Sequence, residues 1–474
     1  MPVELKPYAQ YKDSGVPWLG DIPAHWELHK GKRLFAKMER DIRPEDGVIT
    51  CFRDGIVTLR KNRRTSGFTE SLKEIGYQGI RKGDLVIHMM DAFAGAVGVS
   101  DSDGKGTPVY SVCQPKLDLN TYFYSYIVRE MARSDYILSL AKGIRERSTD
   151  FRFDAFASQI LPVPPRQEQD EISAYIRGQS SKINRFIRNK RSLIKLLNEQ
   201  KQVIINQAVT RGIDPNVSLK PSNVSYLGEI PTHWDVVKLG FFINILPGYA
   251  FPSSEFTSNT EDIHLLRGIN ISPGQLRWSE VVYWNRQAAQ NLSEFFLKTG
   301  DLVMGMDRPW IKSGMRVAVV QNDDLPCLLL QRVARIRVKE KLNLVFLEYV
   351  LHGKTFIDYF LPILTGVSVP HISTGQICIF RLALPPLKAQ EEIIEFIREQ
   401  SRSINEVVIR TQHEIDLIQE YRMRLISDVV TGKVDVRDIE IPALPDEDVI
   451  EALEDEELLD AAEAELEAVE DADE

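Results

Sequence analysis

The segment PPRQEQDEISAYIR occupies Pro164–Arg177, and a close relative of it, PPLKAQEEIIEFIR, occupies Pro385–Arg398. The two copies start 221 residues apart (positions 164 and 385), and their register holds as far as Thr210 and Thr431. A long internal repeat indicates one structural unit that is used twice. The chain therefore has two related halves, and this segment decides how each half ends.

Both copies have the pattern of a long amphipathic helix. Each opens after a proline pair, which is tolerated only before or within a first helical turn. Each ends near a glycine, Gly212 or Gly432, as many helices do. A helix of about 45 residues is roughly 65–70 Å long. The seam, with steps of four and three typical of paired helices, runs through Ile172, Ile176, Gln179, Ile183, Phe186, Lys190, Leu193, Leu197, Gln200 and Ile204, and then through Ile393, Ile397, Gln400, Ile404, Val407, Thr411, Glu414, Ile418, Tyr421 and Leu425.

Neither helix can bury this stripe alone, so we expect the two to pair antiparallel, with pseudo-two-fold symmetry. The expected interface is Ile172, Ile176, Ile183, Leu197, Ile204, Ile393, Ile397, Ile404, Ile418 and Leu425. Polar seam residues either specify register or belong to a docking site for a partner's helices. The second interpretation draws on apolar residues outside the seam, namely Leu196, Ile205, Leu417 and Ile426. Both interpretations remain open at this stage.

A second repeat opens each half. LGDIPAHW at Leu19–Trp26 returns as LGEIPTHW at Leu227–Trp234. The two histidines, His25 and His233, have no Ser, Cys or Asp beside them at a catalytic spacing. We interpret them as packed structural residues, and the two tryptophans as core anchors.

Between the repeats the halves barely resemble each other, apart from the short strings KGDLV and TGDLV. Short β-like runs alternate with Gly- and Asp-rich turns, which predicts an α+β domain with a curved sheet in each half. QILPV and FRLAL, just before the proline pairs, are predicted strands that lead into the helices. A constant frame thus holds two divergent modules.

We therefore predict five segments. Residues 1–163 and 213–384 form the two divergent domains, residues 164–212 and 385–435 form the two helices, and residues 436–474 form an acidic tail that is expected to be disordered.

The net charge of −10 conceals a basic body. The last 37 residues, from Asp438, hold 18 of the 68 acidic side chains and no Lys or Arg. The remainder has 58 basic and 68 less 18, or 50, acidic side chains, a surplus of eight. A basic body is compatible with a polyanionic partner, although a surplus of this size is also ordinary.

Several other classes of protein are disfavoured. The four cysteines are isolated from one another and from histidines, so neither a zinc site nor a disulfide framework is expected. The first residues have no apolar core of a secretion signal, and no stretch is long and apolar enough to span a membrane. We expect a cytoplasmic protein with reduced thiols and no membrane contact.

Candidate DNA contacts are basic residues and a glutamine that cluster or recur in the divergent domains. Lys and Arg neutralise phosphates, whereas Arg and Gln also read base edges. A basic loop can equally be a solvated surface. The candidates are Arg60, Lys61, Arg63, Arg64, Arg145 and Arg147 in the first half, and Arg267, Arg308, Lys312, Gln331 and Arg332 in the second.

The doubled order of these motifs resembles the specificity subunit of type I restriction-modification systems. PGYAFPSSEF at Pro247–Phe256 and GVSVPHIS at Gly366–Ser373 add to the likeness. The resemblance implies that each divergent domain, a target recognition domain, reads one half of an asymmetric two-part site in double-stranded DNA. It also implies helices that set the spacer and dock two methylation subunits, with two restriction subunits joining the full complex.

The same resemblance implies a chain that is not an enzyme and binds no cofactor or metal itself. S-adenosylmethionine would belong to the methylation subunits, and ATP with Mg²⁺ to the restriction subunits. Two alternatives compete with this view. A DNA methyltransferase or nuclease lacks support, because neither proline pair sits in a catalytic loop and no phosphate-binding loop occurs. A coiled-coil scaffold without a DNA role explains the helices but not the divergence of the modules.

Overall fold

The computed structural model describes residues 5–63, 75–140, 150–311, 314–364 and 370–439. The chain forms two compact units. Residues 1–192 and 412–474 belong to the first unit, and residues 193–411 belong to the second. Each unit therefore combines one divergent domain with parts of both long helices.

The first unit begins with short strands and ends its domain with three helices and a last strand. Its elements are β1 (Tyr11–Asp13), β2 (Asp21–Pro23), β3 (Glu27–Lys30), α1 (Gly31–Leu34), β4 (Phe35–Lys37), β5 (Ile49–Cys51), β6 (Val57–Leu59), β7 (Gln78–Ile80), β8 (Leu85–His88), β9 (Val97–Val99), β10 (Gly104–Gly106), β11 (Tyr110–Pro115), α2 (Thr121–Arg133), α3 (Tyr136–Ser139), α4 (Phe153–Ser158) and β12 (Ile160–Val163). The helix α5 (Arg166–Arg211) follows.

The second unit repeats this plan with additional short strands. Its elements are β13 (Leu219–Pro221), β14 (Glu229–Pro231), β15 (Asp235–Lys238), β16 (Ile243–Pro247), β17 (Ile263–Leu266), β18 (Ile271–Ser272), β19 (Gln275–Leu276), β20 (Tyr283–Trp284), β21 (Leu302–Gly305), β22 (Trp310–Ile311), β23 (Gly314–Met315), β24 (Val317–Val319), β25 (Cys327–Leu329), β26 (Val333–Val338), α6 (Leu344–His352), α7 (Lys354–Phe360), α8 (Thr374–Ile379) and β27 (Arg381–Leu384). The helix α9 (Leu387–Val430) follows.

Each unit has its own central four-stranded antiparallel sheet, and the two sheets have equivalent strand orders. Its strand order is β4-β11-β8-β9 in the first unit and β16-β26-β21-β24 in the second. The predicted strands before the proline pairs are also present, because β12 pairs with β3 and β27 pairs with β15. The predicted α+β class with two long helices is therefore confirmed.

The repeated GDLV strings mark one turn in each sheet. Asp84 accepts a hydrogen bond from the backbone N–H three residues earlier and forms an ion pair with Arg40. Asp301 accepts the same kind of backbone bond and pairs with Arg337. Both side chains are buried, where a polar group without a hydrogen-bond partner would be costly, so these bonds stabilise the turn. The string has the same role in both halves, because it forms the turn that leads into β8 or β21.

A buried glutamine ties each long helix to its domain. The Asn120 backbone N–H donates to Gln169 Oε1 (2.9 Å), and Gln169 Nε2 donates to the Pro164 carbonyl (2.8 Å). In the second unit, the backbone N–H of Asn343 donates to Gln390 (2.7 Å), which donates in turn to the carbonyl of the first proline of its pair (2.8 Å). Both asparagines also cap the first turn of a domain helix, α2 or α6. Helix start and domain helix are thus fixed together.

The long helices run antiparallel within the first unit. Asn184 of α5 accepts a hydrogen bond from Arg422 of α9 (2.7 Å), and Lys190 forms an ion pair with Glu414 (2.6 Å). Residue numbers therefore rise along one helix as they fall along the other. In the second unit, Lys201 donates to Asn405 (2.9 Å), the repeat counterpart of Asn184.

Candidate nucleic-acid interface

Motifs from distant parts of the sequence converge at one edge of the second unit's central sheet. The Gln331 backbone N–H donates to the Tyr249 carbonyl (2.8 Å), and the backbone N–H of residue 306 donates to the Arg332 carbonyl (2.8 Å). The Arg308 N–H donates to the Pro370 carbonyl (2.7 Å). We call the surface formed here the recognition face and define it as Tyr249, Asp307, Arg308, Trp310, Gln331 and Arg332.

Two arginines of the recognition face have unusual backbone conformations. Arg308 has φ 42° and Arg332 has φ 67°, both in the left-handed region. Such a conformation costs a non-glycine residue about 1–3 kcal/mol and is frequent at functional sites. The Arg332 side chain is 63% exposed and lies 3.6 Å from Asp307. Backbone bonds thus hold an exposed guanidinium in a strained turn.

Aromatic side chains flank these arginines. Tyr249 and Trp310 are each 41% exposed, although large aromatic residues are usually buried. The ring of Tyr249 rests edge-on against Phe251, at 4.9 Å between centroids. Exposed aromatic, amide and guanidinium groups together can contact bases as well as the sugar-phosphate backbone.

The first unit has the same scaffold but different side chains at this edge. The Met89 backbone N–H donates to the Val109 carbonyl (2.9 Å), as residue 306 does to Arg332. Pro108 and Val109 therefore stand where the second unit has Gln331 and Arg332. The two edges present unlike chemistry on one framework.

The structure separates the basic candidates of the first unit. Lys61 is exposed, and Arg60 is partly buried with its Nε 3.3 Å from Thr50 Oγ1. Arg63 is different: its side chain is only 3% exposed and forms a 2.5 Å ion pair with Asp54. The prediction that Arg63 binds DNA is therefore wrong for this structure, because its guanidinium points into the domain. Arg64, Arg145, Arg147 and Lys312 lie outside the described residues.

In the second unit, charge alone finds only part of the interface. Arg308, Gln331 and Arg332 come together as candidates, whereas Arg267 is partly buried and paired with Glu280 at 3.2 Å. Tyr249, Asp307 and Trp310 are not among the predicted contacts because positive charge does not select them. The signal that could have found Tyr249 is the PGYAF turn, in which an aromatic residue follows a glycine.

The two repeated histidines differ from each other. His25 packs against the Tyr8 ring, at 5.7 Å between centroids, which agrees with the predicted structural role. His233 is exposed, so that prediction is wrong for it, whereas the predicted burial of Trp26 and Trp234 is confirmed. His25 Nε2 lies 2.8 Å from a carboxylate oxygen of Glu168, which also accepts a hydrogen bond from the Trp26 indole. Glu168 thus links the opening segment to α5, and this cluster has no nucleophile.

Other kinds of site are not found in the described part of the chain. There, no group of three His, Cys, Asp or Glu side chains is placed to hold a metal ion. None of the helices that the structure describes is long and apolar enough to cross a membrane. The four cysteines are unpaired in this structure, and burial raises the pKa of the Cys51, Cys113 and Cys327 thiols.

Comparison with known proteins identifies the family. Residues 231–415 match the family model of the type I restriction modification DNA specificity domain. The chain is 28% identical over 318 residues to the type I restriction enzyme MjaVIII specificity subunit of Methanocaldococcus jannaschii, across 67% of this chain and 70% of that protein. It is 32% identical over 230 residues to the EcoAI specificity subunit of Escherichia coli, across 48% of this chain and 38% of that protein. Residues 231–415 thus belong to the type I restriction modification DNA specificity domain family, and the chain is similar to type I restriction-modification specificity subunits.

The fold agrees with this assignment. A solved chain from work on complex assembly and conformational transition of the type I R-M system superposes with a TM-score of 0.60 at 16% identity. The match covers 86% of this chain and 98% of the other. As a specificity subunit, the chain is a non-catalytic component, and the enzyme alternative is set aside.

The long helices of this specificity subunit bury seven of the ten residues of the expected interface, whereas the seam residues Phe186, Leu193, Val407 and Tyr421 are exposed. Ile172, Ile176, Ile183, Ile393, Ile397, Ile404 and Leu425 are buried, whereas Leu197, Ile204 and Ile418 are partly exposed. Near Glu414 the buried apolar residue is Ile415, because Glu414 turns toward Lys190. Toward the helix ends, the buried side chains join the domain cores, as Ile172 and Leu425 do in the first unit.

The apolar residues outside the seam divide into two groups. Ile205 and Ile426 pack into the cores of their own units, so they are not available for docking. Leu196 and Leu417 are 59% and 51% exposed, and no domain core covers them. The helices therefore carry exposed apolar side chains within each unit, as a docking surface requires.

Proposed function

We propose that this specificity subunit reads an asymmetric two-part DNA sequence, one half with each target recognition domain. The observation that carries the proposal is the pair of central sheets. They share strand order and turns, yet one presents Gln331 and Arg332 where the other presents Pro108 and Val109. Two identical readers would select a palindrome, whereas two unlike readers on one scaffold select two unlike half-sites.

The helices supply the spacing and the docking surface in this proposal. The two long helices would set the separation of the half-sites. The exposed Leu196 and Leu417 would contact two methylation subunits, which use S-adenosylmethionine. Two restriction subunits, which use ATP and Mg²⁺, would complete the assembly. The complex would act on DNA in the cytoplasm, and the specificity subunit itself would hold none of these cofactors.

Methylome sequencing tests the proposal directly. A host expressing the chain with its methylation subunits is compared with a host expressing the methylation subunits alone. We expect one methylated motif made of two unlike half-sites with a fixed gap. A single continuous motif, a palindrome, or methylation that does not depend on this chain would contradict the proposal.

Salt dependence separates this function from the scaffold alternative. Neutralising phosphates releases counterions, so the affinity of a DNA reader falls steeply with salt. The purified complex should lose about 10³-fold or more in affinity between 50 and 200 mM salt if it neutralises six or more phosphates. A flat response, or no DNA binding with methylation subunits present, would favour the scaffold.

A further inference from the structure

The ion pairs of the second unit differ in how many hydrogen-bond donors of the arginine they use. Arg337 is held by Asp301 through two hydrogen bonds of 2.5 and 2.8 Å, so its donors are committed to the fold. Arg332 lies 3.6 Å from Asp307, which is longer than a hydrogen bond. The carboxylate of Asp307 therefore orients the guanidinium but leaves its donors available for a ligand.

The surroundings of Asp307 favour this orienting role toward Arg332. Its Oδ1 atom is buried and has no hydrogen-bond partner among the described residues. A buried carboxylate oxygen without a partner is costly unless a cation lies near. The exposed guanidinium of Arg332 is that cation, and the backbone bond from residue 306 fixes the turn that carries it.

The charge of this pair distinguishes between two kinds of DNA contact. Arg332 and Asp307 together have no net charge, and a carboxylate repels a nearby phosphate. A phosphate contact gains little from such a pair. A guanine edge, in contrast, presents two acceptors, O6 and N7, to the planar fork of an arginine.

Resting on the proposed function, we infer that Arg332 reads a guanine in the half-site of the second domain and that Asp307 is its positioning residue. The recognition face brings Arg332 to the DNA on a strained turn. Residues held in such conformations cluster at functional sites. A bidentate arginine–guanine contact discriminates against the wrong base pair by about 5- to 150-fold.

The test measures binding of the intact complex with its methylation subunits to duplexes that carry every base pair in turn at each position of the motif. Arg332→Ala should abolish discrimination at one G·C pair and leave the other positions unchanged. Arg332→Asn tolerates the left-handed backbone and should shift preference at that pair toward adenine. Asp307→Asn should weaken discrimination at the same pair only.

Lys298→Ala is the matched control, because it removes an exposed charge at the opposite end of strand β21. It should leave discrimination unchanged at every position. A uniform loss of affinity in Arg332→Ala, with a shallower salt dependence, would overturn the inference in favour of a phosphate contact. Unchanged discrimination at every guanine would also overturn it. If the unaltered complex shows no two-part preference, the proposed function fails instead.

Discussion

The glycine after each long helix offers a paired test of how the opening segments close on the helices. Gly432 has φ 77° and Gly212 has φ 75°, so both follow their helix in the left-handed conformation. A Cβ on Gly432 would lie 2.9 Å from the Trp26 ring and closer still to Pro23. A Cβ on Gly212 would lie 3.3 Å from the Trp234 ring.

The two alanine substitutions should therefore differ in cost. Each introduces the left-handed penalty of an L-residue, about 1–2 kcal/mol. Gly432→Ala also forces Pro23 or Trp26 to move, and overpacking of this kind costs a further 1–3 kcal/mol or so. Trp26 is fully buried, so its ring has little room to shift. We expect a loss of about 2–5 kcal/mol for Gly432→Ala and about 1–2 kcal/mol for Gly212→Ala.

Native-state hydrogen exchange followed by mass spectrometry resolves the two units within one chain. Peptides over residues 19–30 report on the first opening segment, and peptides over residues 227–238 report on the second. Gly432→Ala should lower protection in the first set and Gly212→Ala in the second, by the amounts above. An equal or larger loss for Gly212→Ala would refute the reasoning, as would loss in the wrong unit.

Three further predictions concern stability. Gln169→Leu and Gln390→Leu should each lower the free energy of unfolding by about 2–4 kcal/mol in urea titrations, because Gln169 bonds two backbone groups and Gln390 bonds three; an unchanged midpoint would contradict this. Burial lowers the pKa of His352 from 6.5 to about 4, so His352 binds a proton in the unfolded chain at a higher pH than in the folded protein. The free energy of unfolding should therefore fall by about 3 kcal/mol, relative to His352→Gln, as the pH drops from about 6.5 to about 4. Parallel pH profiles of the two proteins would argue against this. Arg63→Ala should destabilise the first unit by about 2–4 kcal/mol because it breaks a buried ion pair, whereas Lys61→Ala should stay within about 0.5 kcal/mol; equal unfolding midpoints would show that Arg63 is not structural.

The frame was predictable because its determinants are local and repeated. Each long helix is specified by features within its own sequence: the proline pair, the periodicity of the seam and the terminal glycine. Because these features occur twice, each copy supports the interpretation of the other. The GDLV strings likewise form the same turn in both units, and the aspartate of each string forms an ion pair with an arginine. The register between the helices follows from the repeat, as the equivalent contacts of Asn184 and Asn405 show.

The interface was only partly predictable, because its contacts are distant in sequence. Nothing near Arg63 indicates that Asp54 and the ring of Phe52 will bury it. Tyr249, Asp307 and Arg332 come together only once the sheet has formed. The repeated histidines were only partly informative, since His25 contacts Glu168 and Tyr8 whereas His233 is exposed.

The proposed function requires two unlike readers that recognise half-sites at one spacing. Selection of bound duplexes from a randomised library by the complex of this chain with its methylation subunits measures that separation. The account predicts two different half-sites with a single gap length in every selected sequence. Half-sites recovered singly, or together with a broad distribution of gap lengths, would contradict it.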